Sequence, residues 1–313
     1  MMLMIGLRSQ YVGSSDASFY YGNWEYMATV PLRSLVTTIK NTDLEIGYQF
    51  CVWLLSRPFH SGQWLFVLSG MFYAVTIGVF VYRNCRNAVL ALVVFNCLGA
   101  FNFMVQGTRQ AIAMCICLYA WELCKKRKFW KFMLMILLAC SFHASAAVAL
   151  IIYFLPLFKL NIKTAVAFTA VASIGIISLP VWVNLLNLLL NDNYEMIRTE
   201  TTGGVVAILI YIVIIVCGVI YQDKDDKYYA MFVYISVIGA LLMILRKFTI
   251  PIAERINYYF IFGQMVVLSN SIVATKNSTT RIVLNSVAAL LCLGVAVYKT
   301  SYSVLIPYLF FWQ

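Results

Sequence analysis

Long apolar runs broken by short polar connections dominate the chain. Runs of roughly 17 to 25 apolar residues, enough to cross a bilayer as a helix, lie at 64–82, 88–105, 108–124, 164–183, 205–221, 228–246, 255–275 and 282–298. The run 129–158 is too long for one straight span. It is interrupted at "CSFHAS", which predicts two shorter helices, 129–142 and 145–158, meeting at His143. "MMLMIGLR" at the start is too short to span and lacks the basic region and cleavage site of a signal peptide, so it is read as a helix stub or an interfacial anchor. The pattern predicts an all-α, polytopic membrane helix bundle of about nine to ten transmembrane helices, forming one membrane domain over 1–313. The spans 164–183 and 205–221 carry few polar groups and read as scaffold.

The pattern changes only between residues 8 and 63, a polar and aromatic segment between apolar runs. Thr42 and Glu45 have the spacing of a capping box. The apolar set Ile46, Phe50, Trp53 and Leu54 then suits one face of a helix lying at the membrane interface. Composition agrees with a membrane protein: 63% of the residues are hydrophobic and 11% charged, against about 25% charged in soluble domains. Most of the nine cysteines fall inside the spans and behave as small apolar residues. Their spacing makes no metal site, and there are only two histidines.

The net charge of +11 is first an orientation signal. "RNCR", "KKRK", Lys159 to Lys163, "QDKDDK" and Lys276 to Arg281 fall on alternate connections, which places that face in the cytoplasm. The outer face then carries 8–63, the start of the 108 helix, the break at His143, the loops 184–204 and 246–255, and the C-terminal tail. Its cations are Arg8, Arg33, Arg57, Arg109, Arg198, Arg246 and Arg255, against Lys40, Lys247 and Lys299. Orientation signalling is indifferent to Arg over Lys, whereas a planar fork that grips phosphate on two atoms requires Arg.

Arg109 and Gln110 interrupt "FNFMVQGTRQAIAMCICLYAW". With Thr108 as the N-cap, Arg109 lies in the first turn of a helix beginning at the outer face, where free N–H groups and the dipole also favour an anion. "PIAER" repeats the arrangement with Glu254 and Arg255 after Pro251. Arg109, Gln110, Arg255 and Arg8 are therefore the candidate anion-binding residues. His143, with Ser141 and Ser145 beside it, Asp16 and Glu254 are candidates for proton transfer. The cation beside Glu254 in its own turn assigns it mainly to positioning Arg255. Tyr20, Tyr21, Trp24 and Glu45 combine aromatic faces with a carboxylate, a chemistry that suits a glycan. No nucleotide-binding, nucleophile-elbow or nucleic-acid motif is present in the sequence, and no cofactor is expected.

With these residues set out, the chain resembles the EpsG-type branch of the Wzy-like polysaccharide polymerases. The matching stretches are "GSSDASFYY", "TDLEIGY", "TRQAIAM", "SFHASA", "ERINYYF" and "IPYLFF", in this order along nearly the whole chain. The resemblance implies a multi-pass protein of the bacterial inner membrane. Its substrate would be an undecaprenyl-pyrophosphate-linked oligosaccharide of O-antigen, capsule or exopolysaccharide synthesis. The growing glycan would pass to the next lipid-linked unit at the periplasmic face, without nucleotide sugar or ATP. Membrane lipids, a flippase and a chain-length regulator are the partners it implies. A flippase or other transporter of lipid-linked oligosaccharide, and a different lipid-linked glycosyltransferase or an acyltransferase, are the alternative readings. The concentration of charge at helix ends, rather than within several spans, separates the first of these from the polymerase.

Overall fold

The computed structural model describes residues 2–13, 15–178, 181, 205–247, 251–301, 303 and 305–313. The whole of the expected loop 184–204, including Arg198, and residues 248–250 lie outside the described residues. Those described are helical apart from connections, with no strand among them beyond one isolated bridge between Arg8 and Phe310. The helices group into two compact units. The first comprises Met1–Arg83, Gly99–Leu150 and Leu291–Gln313, and the second Asn84–Leu98 and Ile151–Leu290.

In the first unit the polar and aromatic segment 8–63, where one interfacial helix was expected, forms three helices: α2 (Ser15–Thr29), α3 (Leu32–Lys40) and α4 (Ile46–Ser56), after a short α1 (Met2–Gly6). Helix α2 carries aromatic residues on both of its faces, so no apolar stripe announced it. One face, with Ala17, Tyr20, Trp24 and Met27, packs with Tyr48 and Val52 of α4 into a core that also takes in Leu65 and Phe66. Arg57 fixes the corner between α2 and α3. Its guanidinium donates to the carbonyls of Ala28 and Val30 and lies over the ring of Trp53, complementing the negative end of α2. On α4 the apolar side chains Ile46, Phe50 and Leu54 are exposed, as expected of a helix lying at an interface. The expected capping box is absent: Glu45 is the N-cap residue, makes no capping hydrogen bond, and sends its side chain elsewhere.

Helix α5 (Gln63–Asn84) begins where the pattern placed it. The predicted span 88–105 is broken into α6 (Ala88–Cys97) and α7 (Ala100–Gln106). Gly99 between them has φ 83°, a left-handed conformation that a residue with a Cβ adopts at a cost. Helix α8 (Thr108–Lys125) is apolar on nearly every side, and residues from Ala111 to Trp121 are buried all round it, as such a helix requires. It packs on α9 (Phe129–Phe142). His143 ends α9 with extended backbone, φ −161° and ψ 119°. The break is therefore where the sequence put it, although the following segment, Ala144–Leu157, is a 3₁₀ rather than an α-helix.

The two ends of the chain meet in this unit. Ser9 N–H donates to the Leu309 carbonyl and Phe311 N–H to that of Leu7, both at 2.9 Å, and the Tyr308 hydroxyl reaches the Met4 carbonyl at 2.6 Å.

The second unit contains α6 with α10 (Ile162–Ile177), α11 (Val205–Ile220), α12 (Tyr229–Lys247), α13 (Pro251–Asn257), α14 (Ile261–Ala274) and the first part of α15 (Ser278–Ser301). The run predicted as one span at 255–275 is thus split between α13 and α14. Helix α14 is buried from Ile261 to Ile272, against α6, α11 and α12. Arg86 pairs with the buried Asp223 at 2.7 Å, and Asn270 accepts from Arg86 N–H and donates to the Asn84 carbonyl, both at 2.9 Å.

Helices α5, α12 and α15 are long and apolar enough to cross a membrane, and several shorter apolar helices accompany them. Only 11% of the apolar window of α15 is buried, so its Leu290, Leu291 and Val297 face outward, as they would toward lipid.

Candidate functional site

Four elements of the first unit converge on one carboxylate. Glu45, at the entrance of α4, accepts from Arg109 Nη1 on Oε2, and its Oε1 lies 2.8 Å from His143 Nδ1. The backbone N–H of Ala144 also points at Oε1, at 3.4 Å. Arg109 Nε donates to the Tyr20 hydroxyl at 2.8 Å, and its guanidinium lies 5.6 Å from the centre of the Tyr20 ring. Tyr20 in turn makes an edge contact with Tyr48. The Arg109 and Glu45 side chains are 21% exposed and that of His143 25%. The site is therefore dry enough for strong ionic interactions and open enough to meet a ligand.

The local sequence builds this arrangement. Gly107 is the N-cap of α8 in place of the expected Thr108, whose buried backbone carbonyl accepts from the Tyr73 hydroxyl at 3.0 Å. Arg109 is nonetheless in the first helical turn, as predicted. Gly47, two residues after Glu45, sits directly against the end of α9. A Cβ at Gly47 would come within 2.8 Å of the Ser141 backbone oxygen and closer still to its side chain. This approach is what brings the entrance of α4 to His143. The loop ahead of Glu45 is held by Gln49, which is fully buried. Gln49 donates to Thr42 Oγ1 at 3.2 Å and accepts from Asn23 at 3.3 Å.

Burial works against ionisation of Glu45. The His143 hydrogen bond, its own backbone N–H and the charge of Arg109 outweigh this and hold it at about 2. Burial pushes the Tyr20 phenol up, against the opposing pull of Arg109, so it is neutral at physiological pH. The site at rest is a carboxylate shared by a guanidinium and an imidazole.

Of the residues singled out in the sequence, Arg109, His143, Glu45 and Tyr20 are brought together, although Glu45 and Tyr20 were assigned to glycan. Tyr20 is buried and bonded to Arg109, Trp24 is buried with its indole N–H on the Phe59 carbonyl at 2.6 Å, and the Tyr21 ring packs against Gly62. His143 is partnered by Glu45 rather than by the neighbouring Ser141, whose hydroxyl bonds the Leu138 carbonyl. Gln110 is buried within the packing of α8, and Asp16 is exposed in the first turn of α2. Arg8 is only 1% exposed. It bonds the Val12 carbonyl at 2.7 Å and lies 4.0 Å from the centre of the Phe66 ring, and its Nε has no partner. Burial lowers its guanidinium to about 10, which leaves it charged at neutral pH. Glu254 and Arg255 belong to the second unit, where Glu254 meets Arg246 at 2.8 Å and Arg255 is exposed. The residues that sequence reasoning missed are Gly47 and Gln49. Their signal is indirect: a glycine and an uncharged polar group follow Glu45 at the start of a helix expected at the interface.

The fold and this site define a multi-pass helical membrane protein in which an arginine, a glutamate and a histidine meet at the start of one helix. The chain belongs to the EpsG family, whose model matches residues 1–310, and this is a Wzy-like, polymerase-type family. No curated protein and no solved structure matches it. Membership places the protein in polysaccharide biosynthesis at a membrane.

Proposed function

We propose that the protein polymerises lipid-linked oligosaccharide repeat units at the periplasmic face of the bacterial inner membrane, with undecaprenyl pyrophosphate as the activating group. The observation that carries the reading is Arg109. It stands in the first turn of α8, part-exposed, and its counter-ion is a carboxylate that also contacts a histidine. A phosphate oxygen can take the place of Glu45 Oε2 on this guanidinium, and the positive end of the α8 dipole favours the same charge.

In the transfer, a hydroxyl of the incoming lipid-linked unit attacks the anomeric carbon of the growing chain. The new glycosidic C–O bond forms as the bond from that carbon to the pyrophosphate oxygen breaks. The bonding electrons leave with pyrophosphate, where Arg109 stabilises the charge as it develops. The acceptor proton passes to His143. The pyrophosphate linkage is itself the activated bond, so neither nucleotide sugar nor ATP enters the step.

The test is polymer length on a gel from cells with confirmed membrane levels of each variant. Arg109→Lys should fail nearly as badly as Arg109→Ala, because an ammonium cannot make the paired hydrogen bonds of the fork. Full-length polymer from both variants would remove Arg109 from the reaction, and unchanged polymer in cells lacking the protein would overturn the polymerase reading.

A further inference from the structure

The sequence assigns Glu45 to sugar; its position assigns it otherwise. The carboxylate of Glu45 has two ends with different partners, Oε1 on His143 Nδ1 and Ala144 N–H, and Oε2 on Arg109. An ionised carboxylate only accepts hydrogen bonds. The proton on the 2.8 Å contact with the imidazole therefore belongs to Nδ1. A neutral ring bonded in this way keeps its lone pair on Nε2. The extended backbone at His143 carries the ring out of the helical path of α9. The close seat of Gly47 on Ser141 holds the entrance of α4 against the end of α9. The charged groups that meet at the ring are Glu45 from α4 and, through the same carboxylate, Arg109 from α8. The neutral phenol of Tyr20 on α2 completes the group through Arg109.

We propose that Glu45 is the positioning residue of the transfer: it holds His143 in the Nδ1–H tautomer so that Nε2 takes the acceptor proton, and it serves as the resting counter-ion of Arg109 until substrate phosphate replaces it there. The proposal rests on the polymerase reading. In the step, the acceptor O–H proton moves to Nε2, and the imidazolium so formed keeps its Nδ1–H on Glu45, which stabilises the new charge. The proton then leaves Nε2 for the released pyrophosphate or for water. Glu45 exchanges no proton and forms no bond to the sugar, so its role is distinct from that of His143.

The chain has only two histidines, and His60 is exposed, so His60→Asn leaves one imidazole to observe. The experiment is ¹⁵N NMR of histidine-labelled, detergent-solubilised full-length protein carrying His60→Asn, with Glu45 intact and with Glu45→Gln, Glu45→Ala and Glu45→Asp. It is paired with steady-state polymerisation of a synthetic lipid-pyrophosphate-linked unit. With Glu45 intact the neutral ring should show the Nδ1–H pattern. Glu45→Ala should lose it, and kcat should fall about 10²-fold, the lower end of the cost of losing a general base. Glu45→Asp should recover part of both. An Nε2–H ring with Glu45 intact would overturn the proposal, as would a tautomer or a kcat indifferent to Glu45→Ala. The spectra need no turnover. If the intact protein does not extend the lipid-linked unit, the polymerase reading falls whatever tautomer the spectra show; if it does and Arg109→Ala and His143→Ala both polymerise normally, the reaction does not run through this site. If those two variants fail while Glu45→Ala is normal, only the role of Glu45 falls.

Discussion

Arg109 and Arg246 each meet a glutamate, and the two pairs differ in what surrounds them. Glu254 lies close to Arg246 in sequence, and the two join the end of α12 to α13 across a short connection. Glu45 lies 64 residues from Arg109 and 98 from His143, so three distant stretches must fold before the group exists. The first kind of pair ties together two helices that are neighbours in sequence. The second gathers a cation, an acid and a base at one helix start and leaves each about a fifth to a quarter exposed. An arginine–glutamate contact alone is therefore poor evidence of a site. The histidine on the same carboxylate, and the cost of assembling the group from afar, are what separate the two.

The contrast can be broken most severely at Arg109 and His143. Arg109→Ala should leave no detectable polymer on a gel, and His143→Ala should slow purified enzyme about 10²- to 10⁴-fold, as loss of a general base does. Normal turnover by either would make the pairing of Arg109 with Glu45 as structural as that of Arg246 with Glu254. A smaller but still large effect is expected at Gly47. Its Cβ would meet both the side chain and the backbone oxygen of Ser141, so Gly47→Ala should cost about 1–3 kcal/mol by overpacking, seen as a lower Tm, and should reduce turnover as well. Gly22 on α2 is the control. Nothing lies within 4 Å of a Cβ there, and Gly22→Ala should stabilise by about 0.5–1 kcal/mol, since alanine is the better helix former. If both variants behave alike, the seat of α4 on α9 is not tight.

Acid sharpens the comparison further. Glu45 is held at about 2, below its ordinary 4.5. A carboxylate lowered on folding contributes stability that is fully present above its unfolded value and lost as pH falls through the folded one. Thermal stability should therefore drop between pH 4.5 and 2, with a smaller drop in Glu45→Gln; equal slopes would remove the ionic account of the site. The smallest effects belong to Asp16→Asn and Glu254→Gln, which should leave polymer length near normal. Losing the pairing of Glu254 with Arg246 should cost about 1 kcal/mol or less. Abolished turnover in Glu254→Gln with substrate still bound would move the base to the second unit.

Much of the helical framework was legible in the sequence because the bilayer demands long apolar runs, and α5, α8, α11 and α12 begin or end close to where those runs do. The breaks inside 88–105 and 255–275 were not, because the runs stay apolar through them and hydropathy does not report a left-handed glycine. Helix α2 was missed for the opposite reason: aromatic residues cover both of its faces and blur the periodicity. Arg109 and His143 stood out as polar groups at apolar depth. Glu45 was read from its neighbours, as a cap and a sugar ligand, because the spacing of residues in sequence carries no distance between elements that meet only in the fold.

The meeting of the chain's two ends has a consequence in time. Tyr308 lies 304 residues beyond the Met4 carbonyl it bonds. A ribosome adding about 5–20 residues per second needs about 15 to 60 s to cover that distance. Arg8 meets its Val12 carbonyl and the Phe66 ring early in that interval, and the bridged segment at Leu309 to Phe311 only at its end. The buried guanidinium therefore has its nearby partners long before the segment that pairs with its backbone is made, and the helices between them are laid down in the meantime.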